Sequence, residues 1–319
     1  MRRVAAGRRP RVPGAGHGRR AQATGAGRRP PHTLAAVRFE KWQALGNDYV
    51  ILEAAELPFE LTGGRIRAIC APHTGVSSDG VLLLSEADEP GCLARLRVFN
   101  PDGSEAEVSG NGARQAILYL RRRGTAASDT FSIQTAAGVL SPTVTSATTC
   151  AVDMGRARLR SPDYPSGPDD GTGELRAGGR AWRFQHVQVG NPQCAIQVAG
   201  REELEALDLA RLGPEIERSE LFPNRTNVSW YTQLGPRRIR ARIFERGVGE
   251  TRASGTGATG AAVAHVLRGG EQPVAVELDG GELEVEVGEE LDVRLTGWAV
   301  PVFSGTLSEE FVGELRAVQ

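Results

Sequence analysis

Ser109, Gly110, Asn111 and Gly112, within SGNGAR, return 145 positions later as Ser254, Gly255, Thr256 and Gly257, within SGTGAT. Serine is a preferred helix N-cap, and each copy leads into an alanine-bearing run without helix breakers, so each copy predicts a helix start. The glycines leave the first-turn backbone N–H groups open to close approach. A helix start offers four orphan donors and the positive end of a macrodipole, which makes it a receptor for anions. One copy alone would be an ordinary cap. Two copies brought face to face would clamp one carboxylate or phosphate from both sides.

Polar residues precede each copy where a strand would normally end. FNPDGSEAE brings Asn100, Asp102, Ser104 and Glu105 ahead of the first, and FERGVGETRA brings Glu245, Arg246, Glu250 and Thr251 ahead of the second. Glu245 and Arg246 directly follow the apolar Ile243 and Phe244 and lead to the second cap. Arg246 can pair with a carboxylate in bidentate fashion, and Glu245 can accept hydrogen bonds from an amino group. That combination describes a receptor for an amino acid. Asn47 in GND, Asn191 in GNP and Asn227 in TNV also stand at the edges of apolar runs, at matching points of the two halves.

The elements that must hold these groups are readable in outline. Apolar runs at 49–52, 80–84 and 93–99 read as strands, followed by a helix over 112–123 with Gly124 as its stop. The second half repeats the plan, with strands at 182–189, 195–198, 227–231 and 239–244 before a helix over 257–268. That helix is apolar nearly all round and therefore predicts a wrapping of sheet. A further helix is expected over 62–70, a meander over 274–295, and a surface loop over 161–179.

The chain has 319 residues, enough for two ordinary domains, and the repeat divides it in the same way. Residues 1–37 hold nine arginines and no Asp or Glu, a composition that reads as a disordered extension. The remainder carries 29 basic residues against 39 acidic ones, which argues against nucleic acid as a partner of the folded body. No apolar stretch is long enough for a membrane span. Cys70, Cys92, Cys150 and Cys194 are scattered and form no CxxC pair, so they read as thiols in a reducing compartment rather than zinc ligands or disulfides.

With KWQALGNDY, HTGVSSDG, FNPDGSEAEVSGNGAR, VGNPQ, FPNRTNVS and FERGVGETRASGTGA in order, the chain from Arg38 onward resembles the diaminopimelate epimerases. The resemblance implies an α+β fold of two pseudo-symmetric domains, each a mixed, mostly antiparallel, barrel-like sheet wrapped around a central helix. The expected domains are 38–153, joined by 300–319, and 154–299. It also implies cofactor-independent epimerisation of LL-diaminopimelate to the meso form, in lysine and peptidoglycan precursor biosynthesis. A cytoplasmic enzyme, a homodimer, a small amino-acid substrate, and neither metal nor membrane partner are expected with it. The residues carried over for substrate binding are Asn47, Asn100, Asn191, Asn227, Glu245 and Arg246, with Gly110, Asn111, Gly255 and Thr256 at the α-carboxylate.

Ser109 and Ser254 fall on the two catalytic positions, where the family carries a cysteine pair. Gly80 stands where glutamine is common, and Gln193 where histidine is. A thiol of pKa about 8.5 supplies thiolate readily, whereas a serine hydroxyl is a far weaker acid and needs a partner base. Three readings stand open: an epimerase using the paired serines, with Glu105, Glu250 or water as the base; an isomerase or dehydratase acting on another amino acid; and a non-catalytic amino-acid-binding protein.

Overall fold

The computed structural model describes residues 36–106 and 109–318. The arginine-rich extension expected to be disordered lies outside the described residues apart from 36 and 37, and Val37 is fully buried.

Two mixed sheets carry the chain. The first has eight strands, running in spatial order Val300–Thr306, Arg38–Ala44, Asn47–Glu53, Val81–Ser85, Cys92–Phe99, Ser132–Thr135 and Gly138–Leu140, with Glu105–Ala106 beside Cys92–Phe99. The second has eleven, running Thr172–Ala177, Arg180–Val189, Asn191–Gln197, Asn227–Gly235, Arg238–Glu245, Val274–Leu278, Gly281–Val287, Asp292–Trp298, Thr149–Arg156 and Thr143–Val144, with Gly249–Thr251 beside Arg238–Glu245. Both sheets keep edge strands, so neither closes into a barrel. Chain 143–156 already pairs within the second sheet, ahead of the expected division after 153, while Val300–Thr306 returns to the first sheet beside Arg38–Ala44.

The two halves share one pairing sequence. From Arg38–Ala44 the first sheet runs antiparallel, parallel, antiparallel, parallel, antiparallel. From Arg180–Val189 the second runs the same way. Val50 opposite Val81 corresponds to Cys194 opposite Val228, which makes Tyr49 the counterpart of Gln193 and Gly80 that of Asn227. Phe99 opposite Glu105 corresponds to Phe244 opposite Glu250, so Asn100 is the counterpart of Glu245.

Each sheet is covered on both faces, and the strand sequences show why. In Asn47–Glu53 the alternating Tyr49 and Ile51 enter a central core while Val50 and Leu52 enter an outer one, as the two-residue period of a strand requires. The outer core of the first sheet is closed by Ile66 and Ile69 of helix Gly63–Cys70 and by Val312 and Leu315 of helix Glu309–Ala317. That of the second is closed by Leu209, Leu212 and Ile216 of helix Leu209–Glu217. The central core is continuous and contains both central helices, Gly110–Arg122 and Gly255–Leu267. The second is built from alanine, glycine and valine, and its small girth lets strands approach it from all sides.

The expected loop over 161–179 is corrected in part. Thr172–Ala177 is a strand paired with Arg180–Val189, joined by a turn with positive φ at Gly178 and Gly179. Among the described residues no helix is long and apolar enough to cross a membrane.

Candidate active site

The two central helices start in the same way. Ser109, at φ −127° and ψ 121°, accepts from the Gly112 N–H at 3.1 Å; Ser254, at φ −138° and ψ 125°, accepts from the Gly257 N–H at 3.2 Å. Both are N-caps in extended conformation, and each cap satisfies one first-turn donor. The N–H groups of Gly110, Asn111, Gly255 and Thr256 lie beyond reach of any carbonyl of their own helix.

The helix starts meet. A β-carbon on Gly110 would lie 3.8 Å from the Cα of Gly255, and one on Gly255 would lie 3.9 Å from the Cα of Gly110. Two positive helix ends brought this close repel each other unless an anion sits between their donors. The repulsion is reinforced by Arg114, whose guanidinium is fully buried and approaches both glycines. Arg114 donates to Asn111 Oδ1, but its Nε and Nη1 find no acceptor among the described residues. Desolvation pushes the guanidinium down to about 10, so it remains a cation at neutral pH. An unpaired buried charge is costly, and an anion at the helix junction would offset that cost.

Of the remaining expected residues, Asn47 and Asn191 stand at turns beside the central helices, while Asn100, Asn227 and Arg246 bond within their own loops and neighbouring strands. The turn before Asn47 reaches the second half, where a β-carbon on Gly46 would lie 3.4 Å from the Arg252 guanidinium carbon. Asn47 donates from Nδ2 to Asp79 at 2.9 Å and accepts at its carbonyl from Gln115 of the first central helix at 3.0 Å. The turn before Asn191 lies beside the second helix start, with Thr256 Cγ2 next to Gly190. Asn191 accepts from Gln193 Nε2. Asn227 joins the backbones of both neighbouring strands, accepting from the Arg246 N–H at 2.8 Å and donating to the Pro192 carbonyl at 3.3 Å. Arg246 is exposed and donates to the Asn224 carbonyl at 2.8 Å. Asn100 follows the strand Cys92–Phe99, and its amide donates to Ser104 Oγ at 3.0 Å within its own loop.

Two acidic candidates fall away. Glu105 is held in a bidentate pair by Arg97 at 2.9 and 2.7 Å, which keeps its carboxyl below the usual range. Glu250, at the equivalent place, is held by Arg242 at 3.0 and 2.6 Å. Both carboxylates stand on short outer strands and are committed to arginines of the long strands beside them. Glu245 behaves differently: burial raises its carboxyl above the ordinary value, partly offset by the nearby Ser254 hydroxyl. It is the carboxylate best placed to exchange a proton with a capping serine.

Nothing in the sequence around Tyr49 marks it, yet its buried hydroxyl donates to Ser109 Oγ at 3.3 Å. The cysteines do not replace the missing thiol pair at the caps. Cys70, Cys150 and Cys194 are divided among three separate cores, and burial pushes Cys150 up to about 12.

Comparisons with known proteins agree with this architecture. The family described as diaminopimelate epimerase matches residues 39–160 and 185–300. A diaminopimelate epimerase from Synechococcus sp. (strain JA-3-3Ab) is 41% identical over 280 residues, covering 85% of this chain and 98% of the relative. One from Magnetococcus marinus is 41% identical over 277 residues, covering 85% and 96%. Among solved structures, a phenazine biosynthesis protein of the PhzF family from Bacillus anthracis aligns with TM-score 0.60 at 16% identity, over 86% of this chain and 99% of that one. A hydroxyproline epimerase from Agrobacterium vitis aligns with TM-score 0.58 at 13% identity, over 86% and 91%. These two show the shared α+β fold. With the doubled helix starts, the paired sheets and this degree of identity over almost the whole length of its relatives, the chain belongs to the diaminopimelate epimerase family.

Proposed function

We propose that the protein is a cofactor-independent isomerase that interconverts LL- and meso-diaminopimelate by proton transfer at the α-carbon. The observation that carries this reading is the contact of the two helix starts at Gly110 and Gly255, each capped by a serine in the same conformation. The α-carboxylate sits between the free N–H groups of Gly110, Asn111, Gly255 and Thr256, above the Arg114 cation. Those dipoles strengthen their hold as the α-proton leaves and negative charge moves onto the carboxylate. Inversion needs a proton acceptor on one face of the α-carbon and a donor on the other, and the two caps supply one hydroxyl to each face.

On the second face, Ser254 takes the α-proton as its own proton passes to Glu245. This answers the objection that a serine hydroxyl alone is too weak an acid, because no free alkoxide has to accumulate. Glu245 and Arg246 close the substrate's amino-acid end, and Asn47, Asn100, Asn191 and Asn227 supply the remaining polar contacts to the substrate. The second amino-acid end of diaminopimelate distinguishes it from smaller amino acids. Cytoplasmic localisation and a homodimeric state belong to the same proposal, and light scattering on the purified protein tests the latter.

Chiral analysis of product from LL-diaminopimelate, with no cofactor added, tests the reading. The meso form is expected to accumulate to equilibrium. A substrate recovered unchanged after binding would leave an amino-acid-binding protein, and turnover of a different amino acid alone would assign the site to another isomerisation.

A further inference from the structure

The two faces of the site are built on one plan but do not carry the same chemistry. At the position of Glu245 the first half has Asn100, and at the position of Tyr49 the second half has Gln193. Among the described residues a carboxylate therefore stands near Ser254 and a phenol beside Ser109. Their counterparts, Asn100 and Gln193, are amides, which neither give nor take protons near neutrality.

The hydrogen bonds at Ser109 fix the direction of its proton. A serine oxygen has two lone pairs and one O–H. Ser109 Oγ accepts from the Gly112 N–H at 3.1 Å and from the Tyr49 O–H at 3.3 Å, so both lone pairs are occupied. Its own proton is left free to point at a substrate. At Ser254 the Gly257 N–H takes one lone pair, and the hydroxyl lies close enough to the Glu245 carboxyl to lower its pKa, so on the epimerase reading the Ser254 proton turns to Glu245 and the other lone pair is left free.

Gly80 leaves the Tyr49 ring room beside the Phe99 carbonyl. Tyr49 is buried at 6% exposure, and its ring fills the space beside Gly80. A β-carbon on Gly80 would lie 2.7 Å from Tyr49 Cε1 and 2.2 Å from the Phe99 carbonyl oxygen. Glycine at 80 and tyrosine at 49 thus form one steric unit behind Ser109.

On the epimerase reading, we propose that Tyr49 is a positioning residue that makes Ser109 the proton donor of the pair and restores its proton in the same step. As the α-carbon takes the Ser109 proton, the Ser109 O–H bond breaks, a C–H bond forms, and the Tyr49 proton moves to Ser109 Oγ. On the other face the α C–H bond breaks, its proton goes to Ser254 Oγ, and the Ser254 proton goes to Glu245. One proton is gained at Glu245 and one lost at Tyr49, with no oxidant or reductant involved. The reverse reaction begins from the opposite protonation state, and solvent exchange restores either one. Burial, first of all, raises the Tyr49 phenol above its ordinary value, with the Asp79 and Glu245 carboxylates adding to this against the lowering effect of Ser109. The phenol therefore stays protonated and ready to donate through the neutral range.

The test is a double-variant cycle between positions 49 and 109, with kcat, KM and pH profiles for LL-diaminopimelate. Y49F in the parent is expected to lower kcat about 100-fold with KM nearly constant, and to remove the alkaline limb of the profile. In an S109C background the same Y49F change is expected to cost less than about threefold, because a thiol ionises without help. Equal losses in both backgrounds, with the alkaline limb kept, would show that Tyr49 only packs and would overturn the relay while leaving the epimerase reading intact. An inactive S109C protein would also count against it, since a better acid on that face should serve. A parent with no epimerase activity would overturn the underlying reading, and the relay with it.

Discussion

The ring of Tyr49 lies against Gly80, where a β-carbon would come within 2.7 Å of Tyr49 Cε1. The absence of a side chain at 80 is therefore part of how the Tyr49 hydroxyl reaches Ser109. G80A is expected to displace the ring and cost activity comparable to Y49F. In a Y49A background the ring is gone but the added methyl still meets the Phe99 carbonyl oxygen at 2.2 Å, so G80A should keep a cost there, smaller than in the parent by the part that acts through the ring. Steady-state kinetics on the three variants checks this.

Glu245 gives a pH signature with a definite sign. Burial raises its carboxyl, so the carboxylate form needed on the Ser254 face appears only as pH rises through that elevated value. The acid limb of kcat should therefore lie above the ordinary carboxylate range, and E245Q should lose at least about 100-fold in kcat across the profile. Stability should move the other way. A carboxyl whose folded pKa is raised contributes stability below its unfolded pKa and loses it as pH rises through the folded one. E245Q, neutral at every pH, should melt higher than the parent near pH 7, with the difference closing towards pH 4.

Arg114 is a buried cation with two unpartnered nitrogens beneath the helix junction. Replacing a buried charge that lacks a counter-ion by an apolar side chain of similar volume removes its desolvation cost. R114M is expected to raise the melting temperature of the ligand-free protein while weakening diaminopimelate binding. The upward shift that substrate produces in the parent should be largely lost in R114M. Thermal denaturation with and without substrate, supported by calorimetry, measures both effects.

Much of this site was readable in sequence because local rules and function point the same way there. The serine caps, the helices they start and the strands leading to them follow from composition and spacing alone, and the doubling of SGNGAR and SGTGAT marked the junction. What escaped notice depends on contacts distant in sequence. Tyr49 meets Ser109 across 60 positions, and nothing in GNDY shows that the hydroxyl turns towards a helix cap. Glu105 and Glu250 looked like available bases because Arg97 and Arg242, eight residues away on the neighbouring strand, bind them only once the strands pair. Leu209–Glu217 was hidden by Pro214 within it, although Asp208 caps it, and Thr172–Ala177 by the glycines and aspartates before it.

The most direct measurement of the two-face account is α-hydrogen exchange in deuterium oxide, for S109A and S254A with each stereoisomer. Either substitution removes an N-cap, worth about 1 kcal/mol, which a folded domain of this size should tolerate. The account predicts that the parent inverts and labels both isomers. Each variant should invert neither, yet S109A should still label the isomer whose α-hydrogen faces Ser254, and S254A should label the other more slowly. Both variants labelling the same isomer, or a parent that labels neither, would contradict the placement of the two serines on opposite faces of one α-carbon.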